Sequence, residues 1–164
     1  EAYKTETRER LEKQNKDRAD REIEDAIVNK ITENATVEIP DALIENQTDR
    51  MVQEVGYRLS YQGLKLEDYL KYMGQTMEQF RANYKPDAEK MVKSQLVIEK
   101  VIETEKIEAT EEEVEAKVAD MAKAQDKPVP DVKKNINARQ MDYIKNEIVI
   151  KKLFDFLKSA NNIG

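Results

Sequence analysis

Between Pro86 and Ile107, near the middle of a 164-residue chain, Met91, Val92, Leu96, Val97, Ile98, Val101 and Ile102 crowd one stretch at helical spacing and leave little of its circumference polar. A helix that is apolar nearly all round has to be enclosed by other elements. Proline suits a first helical turn, where its missing N–H would be unpaired anyway, and Asp87 and Glu89 bring negative charge to the positive end of the helix dipole. The expectation is a spine that begins at Pro86, runs about 30 Å at about 1.5 Å per residue, and is covered by the segments before and after it.

The rest of the chain is suited to supplying helices. It contains only four Gly and four Pro, with 38% charged and 39% hydrophobic residues, a composition of long helices with few turns. So high a charged fraction also suits disorder, but the apolar residues are grouped at helical spacing, which favours folding. The expected class is all-α, an elongated multi-helix body in one domain over residues 1–164. A net charge of -6 and a pI near 5.0 leave the phosphate neutralisation of nucleic-acid binding without a source. No run reaches the length of a transmembrane span and no signal peptide opens the chain, so a soluble protein is expected, with no membrane partner. Residue 1 is Glu and not Met, which reads as a fragment.

In chain order, residues 2–35 lack Gly and Pro and form one long helix. Its second half carries Ala19, Ile23, Ala26, Ile27 and Ile31, whereas its first half offers only Ala2, Tyr3 and Leu11 to bury. That half is either a solvent-crossing strut or a frayed end. Thr36, Val37 and Ile39 favour extended backbone, and Pro40 turns Ile39 away from the helical region. A second helix then runs from Asp41 to about Tyr61, ended by Gly63 in a left-handed cap. Leu64–Met73 forms a short helix closed by Gly74. Thr76, with Gln79 at the capping-box position, starts another that lasts to about Tyr84, and Pro86 breaks the path there. Thr110 with Glu113 is a second capping box. The helix it opens fades at Asp126, before the Pro128 and Pro130 pair, which forces a non-helical joint. A short piece over 131–136 leads to a last helix, 138–159, whose apolar surface is too broad to be one-sided.

Chemistry finds little footing. The chain has no Cys and no His, so a disulfide framework, the commonest general base and the usual zinc ligands are all missing. Ser60, Ser94 and Ser159 have no His to activate them, and no Gly-rich phosphate loop is present. Glu111–Glu113 and Glu67-Asp68 could bind a divalent cation, but they stand at helix starts, where carboxylates are favoured by the dipole. The expectation is a protein that is not an enzyme and uses no cofactor.

The joint Thr36-Val37-Glu38-Ile39-Pro40-Asp41-Ala42-Leu43-Ile44, then Tyr69-Leu70, the helix near Phe80, the run Leu96-Val97-Ile98 leading to Glu105, and Thr110-Glu111-Glu112-Glu113-Val114 follow in an order that resembles the C-terminal domain of trigger factor, the bacterial ribosome-associated chaperone. The similarity runs end to end. That family also contains a ribosome-docking domain and a peptidyl-prolyl isomerase domain, neither of which is in this sequence.

The resemblance implies a helical body with two arms forming a cradle for unfolded or nascent polypeptide, working without ATP in the cytoplasm. The ribosome would be met only through the missing N-terminal domain, and weak self-association is left open. The first arm and spine would be 41–107 and the second arm, with the last helix, 110–159. Methionine and tyrosine suit surfaces that accept many partners. Candidate client contacts are therefore Met51, Tyr57, Tyr61, Met73, Met77, Phe80 and Tyr84 on the first arm, and Met121, Val132, Ile136, Met141 and Ile144 on the second. Each is equally an ordinary core residue at helical spacing. Two other readings compete: an extracytoplasmic chaperone module of the SurA/PrsA type, and a helical scaffold that docks one dedicated partner.

Overall fold

The computed structural model describes residues 2–160, without the side chains of residues 2–6 and Glu9. Among these residues the chain forms seven α-helices and no strand: α1 (Ala2–Asn34), α2 (Asp41–Tyr61), α3 (Leu66–Met73), α4 (Met77–Thr104), α5 (Glu111–Ala124), α6 (Val129–Asn135) and α7 (Ala138–Ala160). The all-α class is as expected. Two compact units emerge, one taking residues up to Ile27 and from Lys100 onward, the other Val28–Glu99.

In the Val28–Glu99 unit, Pro40 leads α2 from an extended conformation, φ -60° and ψ 133°. Helix α2 buries Ile44, Thr48 and Val52, a line at i, i+4 spacing. Thr48 is tolerated there because its hydroxyl donates to the Ile44 carbonyl one turn back, at 2.8 Å. Val52, Leu70 and Phe80 form the core, with Val55, Leu66, Tyr69 and Tyr84 packed against it. The Phe80 ring meets Tyr84 and Tyr69 edge-on, with centroids 5.0 and 6.4 Å apart, an arrangement favoured by the ring quadrupoles. Over this core, Arg81 of α4 pairs with Glu45 at 2.8 Å and with Asp49, and Lys85 reaches Glu45 at 2.9 Å. The Lys85 ammonium and then the Arg81 guanidinium hold the Glu45 carboxyl below the usual carboxylate range, and Glu45 in turn pushes Lys85 up.

In the other unit, Val114, Val118 and Ala122 of α5 meet Val132 of α6 and Ile144 of α7 in one core. The capping box opening α5 is present: the Glu113 N–H donates to the Thr110 hydroxyl at 3.2 Å and the Thr110 N–H to the Glu113 carboxylate at 2.8 Å. Lys152 of α7 donates to the Glu108 carbonyl at 2.8 Å and pairs with Glu113. The Thr110 backbone, then Lys152, hold the Glu113 carboxyl below its ordinary value. Near the end of α7, Lys158 pairs with Glu24 of α1 at 2.8 Å, which raises the Lys158 pKa.

Four helix ends share one geometry. After α2, α3, α4 and α5 the N–H of residues 64, 75, 107 and 127 reaches back to the carbonyl five residues earlier, and the preceding N–H to the carbonyl three earlier. These are Schellman motifs, which need a left-handed residue just past the helix. Gly63 (φ 74°) and Gly74 (φ 65°) supply it as expected, but after α4 and α5 the position is held by Lys106 (φ 52°) and Asp126 (φ 51°).

Several expectations are corrected. Pro86 neither breaks the path nor begins a spine; it lies inside α4, which is continuous from Met77 to Thr104. Proline removes only the bond from its own nitrogen to the Ala82 carbonyl, and Phe80 on one side and Ala88 and Val92 on the other are buried, so packing holds the helix across the gap. Nor is that stretch enclosed all round: Val92 and Val97 are buried, Leu96, Ile98, Val101 and Ile102 half-buried, and Met91 is 52% exposed. Helix α3 starts at Leu66 because Lys65 is extended. The non-helical joint expected at the proline pair is present over residues 125–128, but it is shorter than expected: Pro128 is the residue just ahead of α6, and Pro130 fits its first turn. The polar first half of α1 is helical, with Leu11 half-exposed. The side chains of Ala2 and Tyr3 lie outside the described residues. The breadth of α7, by contrast, is as expected: Ile144 and Leu153 are both buried although they lie about 180° apart round the helix at about 100° per residue, Leu157 is buried near Leu153, and Ile148, Val149, Phe154 and Phe156 are half-buried, with Tyr143 and Ile150 exposed.

Candidate functional site

Helix α6 ends at Asn135, and Ile136 is extended (φ -78°, ψ 116°). Asn137 then caps α7 reciprocally with Gln140: each backbone N–H donates to the other's side-chain oxygen at 2.9 Å. This sharp restart fixes the first turns of α7 against α5. An open pocket of about 370 Å³ results, lined by Met121 of α5, by Ile136, and by Arg139, Gln140, Tyr143 and Ile144 of α7. Ile144 is buried and forms the floor, Met121 and Ile136 are half-buried walls, and Tyr143 stands 71% exposed at the rim. Arg139 is the one formal charge in the lining, and it makes no ion pair among the described residues.

The neighbouring concavities of the same unit differ. One runs along Glu113, Lys117, Asp120, Glu147, Lys151, Lys152 and Asp155, with Lys117 paired to Glu147. Another is crossed by Glu111, Glu115, Lys133 and Lys145, with Lys133 held to Glu115 at 2.7 Å. That contact lowers the Glu115 pKa and raises that of Lys133. Both surfaces are already occupied by their own ion pairs, whereas the Met121 pocket offers apolar wall and an unneutralised cation.

The Val28–Glu99 unit carries exposed apolar side chains on its turns. Tyr57 and Tyr61 lie near the end of α2, Leu64 follows it, Tyr72 and Met73 end α3, and Met77 begins α4; Tyr61 and Tyr72 are 92% and 89% exposed. Tyr57 lies about 140° round α2 from Val52 at about 100° per residue, so it faces away from the buried line. A further groove of about 280 Å³ lies between α2 and α4, lined by Leu43, Asn46, Gln47, Arg50, Val92, Gln95, Leu96 and Glu99.

Of the residues proposed from sequence on α2 to α4, Tyr57, Tyr61, Met73 and Met77 are exposed, Met51 and Tyr84 half-buried, and Phe80 is buried in the Val52 core. On α5 to α7, Met121, Ile136 and Ile144 come together in one pocket, while Met141 packs half-buried on the core and Val132 is buried within it. Phe80 and Val132 thus hold the walls and have no free face for a ligand. Sequence reasoning missed Arg139, Gln140 and Tyr143. The signal was the Asn137 to Gln140 capping pair, which starts α7 at 138 and sets residues 139 and 143 one turn apart on one face.

Among the described residues no group of three or more Asp or Glu side chains could hold a metal ion. No helix is long and apolar enough to cross a membrane.

Comparison with known proteins assigns this arrangement. The trigger factor of Clostridioides difficile is 41% identical over 154 residues, covering 94% of this chain and 36% of the relative. That of Halalkalibacterium halodurans is 42% identical over 156 residues, with coverages of 94% and 36%. That of a Geobacillus species is 40% identical over all 164 residues and 38% of its own length. The chain thus spans somewhat more than a third of the relatives it matches. A solved structure of trigger factor domains from Thermotoga maritima matches with a TM-score of 0.50 and 23% identity over 79% of this chain and 75% of that one, a likeness of fold. The family model for the bacterial trigger factor C-terminus matches residues 1–159. On this match and these identities, the chain belongs to the family of bacterial trigger factor C-termini.

Proposed function

We propose that this chain holds segments of unfolded or nascent polypeptide, as the client-binding part of a chaperone that works without ATP. The observation that carries this reading is the open pocket between α5 and α7, whose walls are apolar and whose one charged side chain, Arg139, makes no ion pair among the described residues. The exposed Tyr57, Tyr61, Tyr72 and Met73 add dispersed apolar contacts. Each patch buries a modest area at about 25 cal/mol per Å², largely offset by ordering costs. Several such patches on one chain act together by avidity, which gives weak, reversible and unselective holding. Methionine side chains suit it, because they repack against different shapes.

On this reading the protein works in the cytoplasm, and residues 41–107 and 110–159 each supply client-facing helices of one chaperone domain. Contact with the ribosome and prolyl isomerisation belong to other parts of the longer relatives, and the chain itself carries out no catalysis.

A methyl NMR titration of the chain, labelled at its six methionines, with a permanently unfolded, proline-free client tests the proposal. Saturable shifts at Met73, Met77 and Met121 that vanish when a foldable version of the client is used are expected. Absence of any shift, with no suppression of client aggregation, would refute it.

A further inference from the structure

We propose that the pocket between α5 and α7 is a discrete subsite for an extended segment bearing two large apolar side chains, at positions i and i+2, and an acidic residue on the same face at i+4. This rests on the client-binding reading above and names the class of segment the pocket selects.

Size sets the apolar part. About 370 Å³ is more than twice the roughly 150 Å³ that takes one benzene ring, so one side chain would leave it half empty. In extended backbone, side chains at i and i+2 leave on the same face about 7 Å apart. Two of them can therefore enter between Met121 and Ile136 and rest on Ile144, while the intervening residue points to solvent.

Charge sets the rest. Arg139 stands at the pocket in the first turn of α7 with no ion pair among the described residues, and no acidic residue shares that turn. A cation at a helix start is placed against the dipole, so an incoming carboxylate gains from the guanidinium and from relief of that opposition. By contrast α2, α3, α4, α5 and α6 all carry acid in their first turns. A guanidinium also offers a planar pair of donors that suits a carboxylate better than a lone ammonium would. The surface as a whole is acidic, with net charge -6, so this pocket is a local exception and not part of a general attraction for anions. The Gln140 side-chain N–H groups, its oxygen being held by the Asn137 N–H, and the exposed Tyr143 hydroxyl add polar groups at the pocket for the client backbone.

The test uses the whole chain and three peptides with acetylated and amidated ends, so that no terminal carboxylate contributes. Each contains Phe-Ser-Leu-Ser followed by Asp, Asn or Lys and is flanked by Gly and Ser. Binding is read from the Met121 methyl and from fluorescence anisotropy, beside an unfolded-protein client. The Asp peptide is expected to bind about threefold tighter than the Asn peptide, the range of a solvent-accessible ion pair, and the advantage should shrink at high salt. Arg139→Gln should abolish the preference, and Arg139→Glu should turn it toward the Lys peptide. Equal affinity for the three, or a preference that survives Arg139→Gln, overturns the proposal. If no peptide moves Met121 while the unfolded client still shifts Met73 and Met77, the subsite is refuted and client binding stands. If neither ligand produces a response, both are refuted.

Discussion

The Thr32 hydroxyl donates to the Ser94 hydroxyl at 3.2 Å, tying the last turn of α1 to the middle of α4. Thr32 is 3% exposed and Ser94 half-buried, so this polar pair is enclosed by packing and each hydroxyl satisfies the other. Removing one member leaves the other short of a partner, at about 1–3 kcal/mol. Thr32→Val should therefore lower unfolding stability by about 1 kcal/mol or more in urea titrations. The double change Thr32→Val with Ser94→Ala should cost less than the sum of the single changes, because no orphaned hydroxyl remains. Strict additivity would show that the bond carries no coupling.

Pro86 sits in an exposed turn of α4 with burial on either side of it. Replacing it by Ala restores a backbone donor and removes the clash with the preceding turn, effects of about 3 kcal/mol in an unconstrained helix. Within a packed helix part of this is already relaxed. Pro86→Ala is expected to stabilise the chain by about 1–2 kcal/mol, seen as a higher denaturant midpoint. A lower midpoint would mean that the local backbone set by Pro86 is required for the packing of Phe80 or Ala88.

The Glu45 network predicts an acid-sensitive unit. Because the folded state holds Glu45 below its ordinary pKa, its contribution is complete above the unfolded value of about 4.3 and is lost as pH falls through the lower folded value. Lys85 has the opposite sign: its pKa is raised, so its contribution is present below the unfolded value of about 10.4 and is lost as pH rises through the folded one. Glu45→Gln should flatten the acid limb of a stability profile by lowering the neutral plateau toward the acid values, both changes being equally small because these groups are exposed and screened. An unaltered acid limb would remove Glu45 from the acid response.

Thr110 closes a reciprocal cap at the start of α5. Thr110→Ala should cost about 1 kcal/mol, with earlier amide exchange in the first turn of α5, while Thr110→Ser should restore both.

For the proposed function, Met73→Glu with Met77→Glu changes two exposed side chains at the turn between α3 and α4. It should weaken client binding severalfold by placing charge on an apolar patch, with helix content unchanged by circular dichroism. Met141→Glu is the contrasting control: Met141 packs on the Val114 core, so that variant should lose stability instead.

What could be read in the sequence was whatever local chemistry decides. Helix starts at Asp41, Met77 and Glu111, with the Gly63 and Gly74 ends, followed from residues acting within one turn of themselves. What could not be read was decided by burial. Pro86 signals a break by its own chemistry, and only the packing of Phe80, Ala88 and Val92 keeps α4 continuous through it. The same limit applies to the site: spacing marked Met121, Ile136 and Ile144 as apolar, yet it also marked Phe80 and Val132, and which of these face a cavity depends on the facing helix. Arg139 and Tyr143 were hidden because a charged residue and a polar-tipped ring at a helix start look like ordinary solvated surface.

The four Schellman ends described above are not alike in what maintains them. Gly63 and Gly74 take the left-handed conformation without steric cost, but Lys106 and Asp126 hold it against an intrinsic penalty of about 1–2 kcal/mol. At the end of α4 the opposing force is visible, since Ile107, the next residue, is buried. Excised peptides should therefore diverge: one covering 58–76 should populate its left-handed corners at Gly63 and Gly74 more than one covering 98–112 populates its corner at Lys106, where Ile107 has nothing to rest on. The end of α4 thus leans on tertiary burial for its backbone conformation, whereas the corners on either side of α3 need no such support at their left-handed residue.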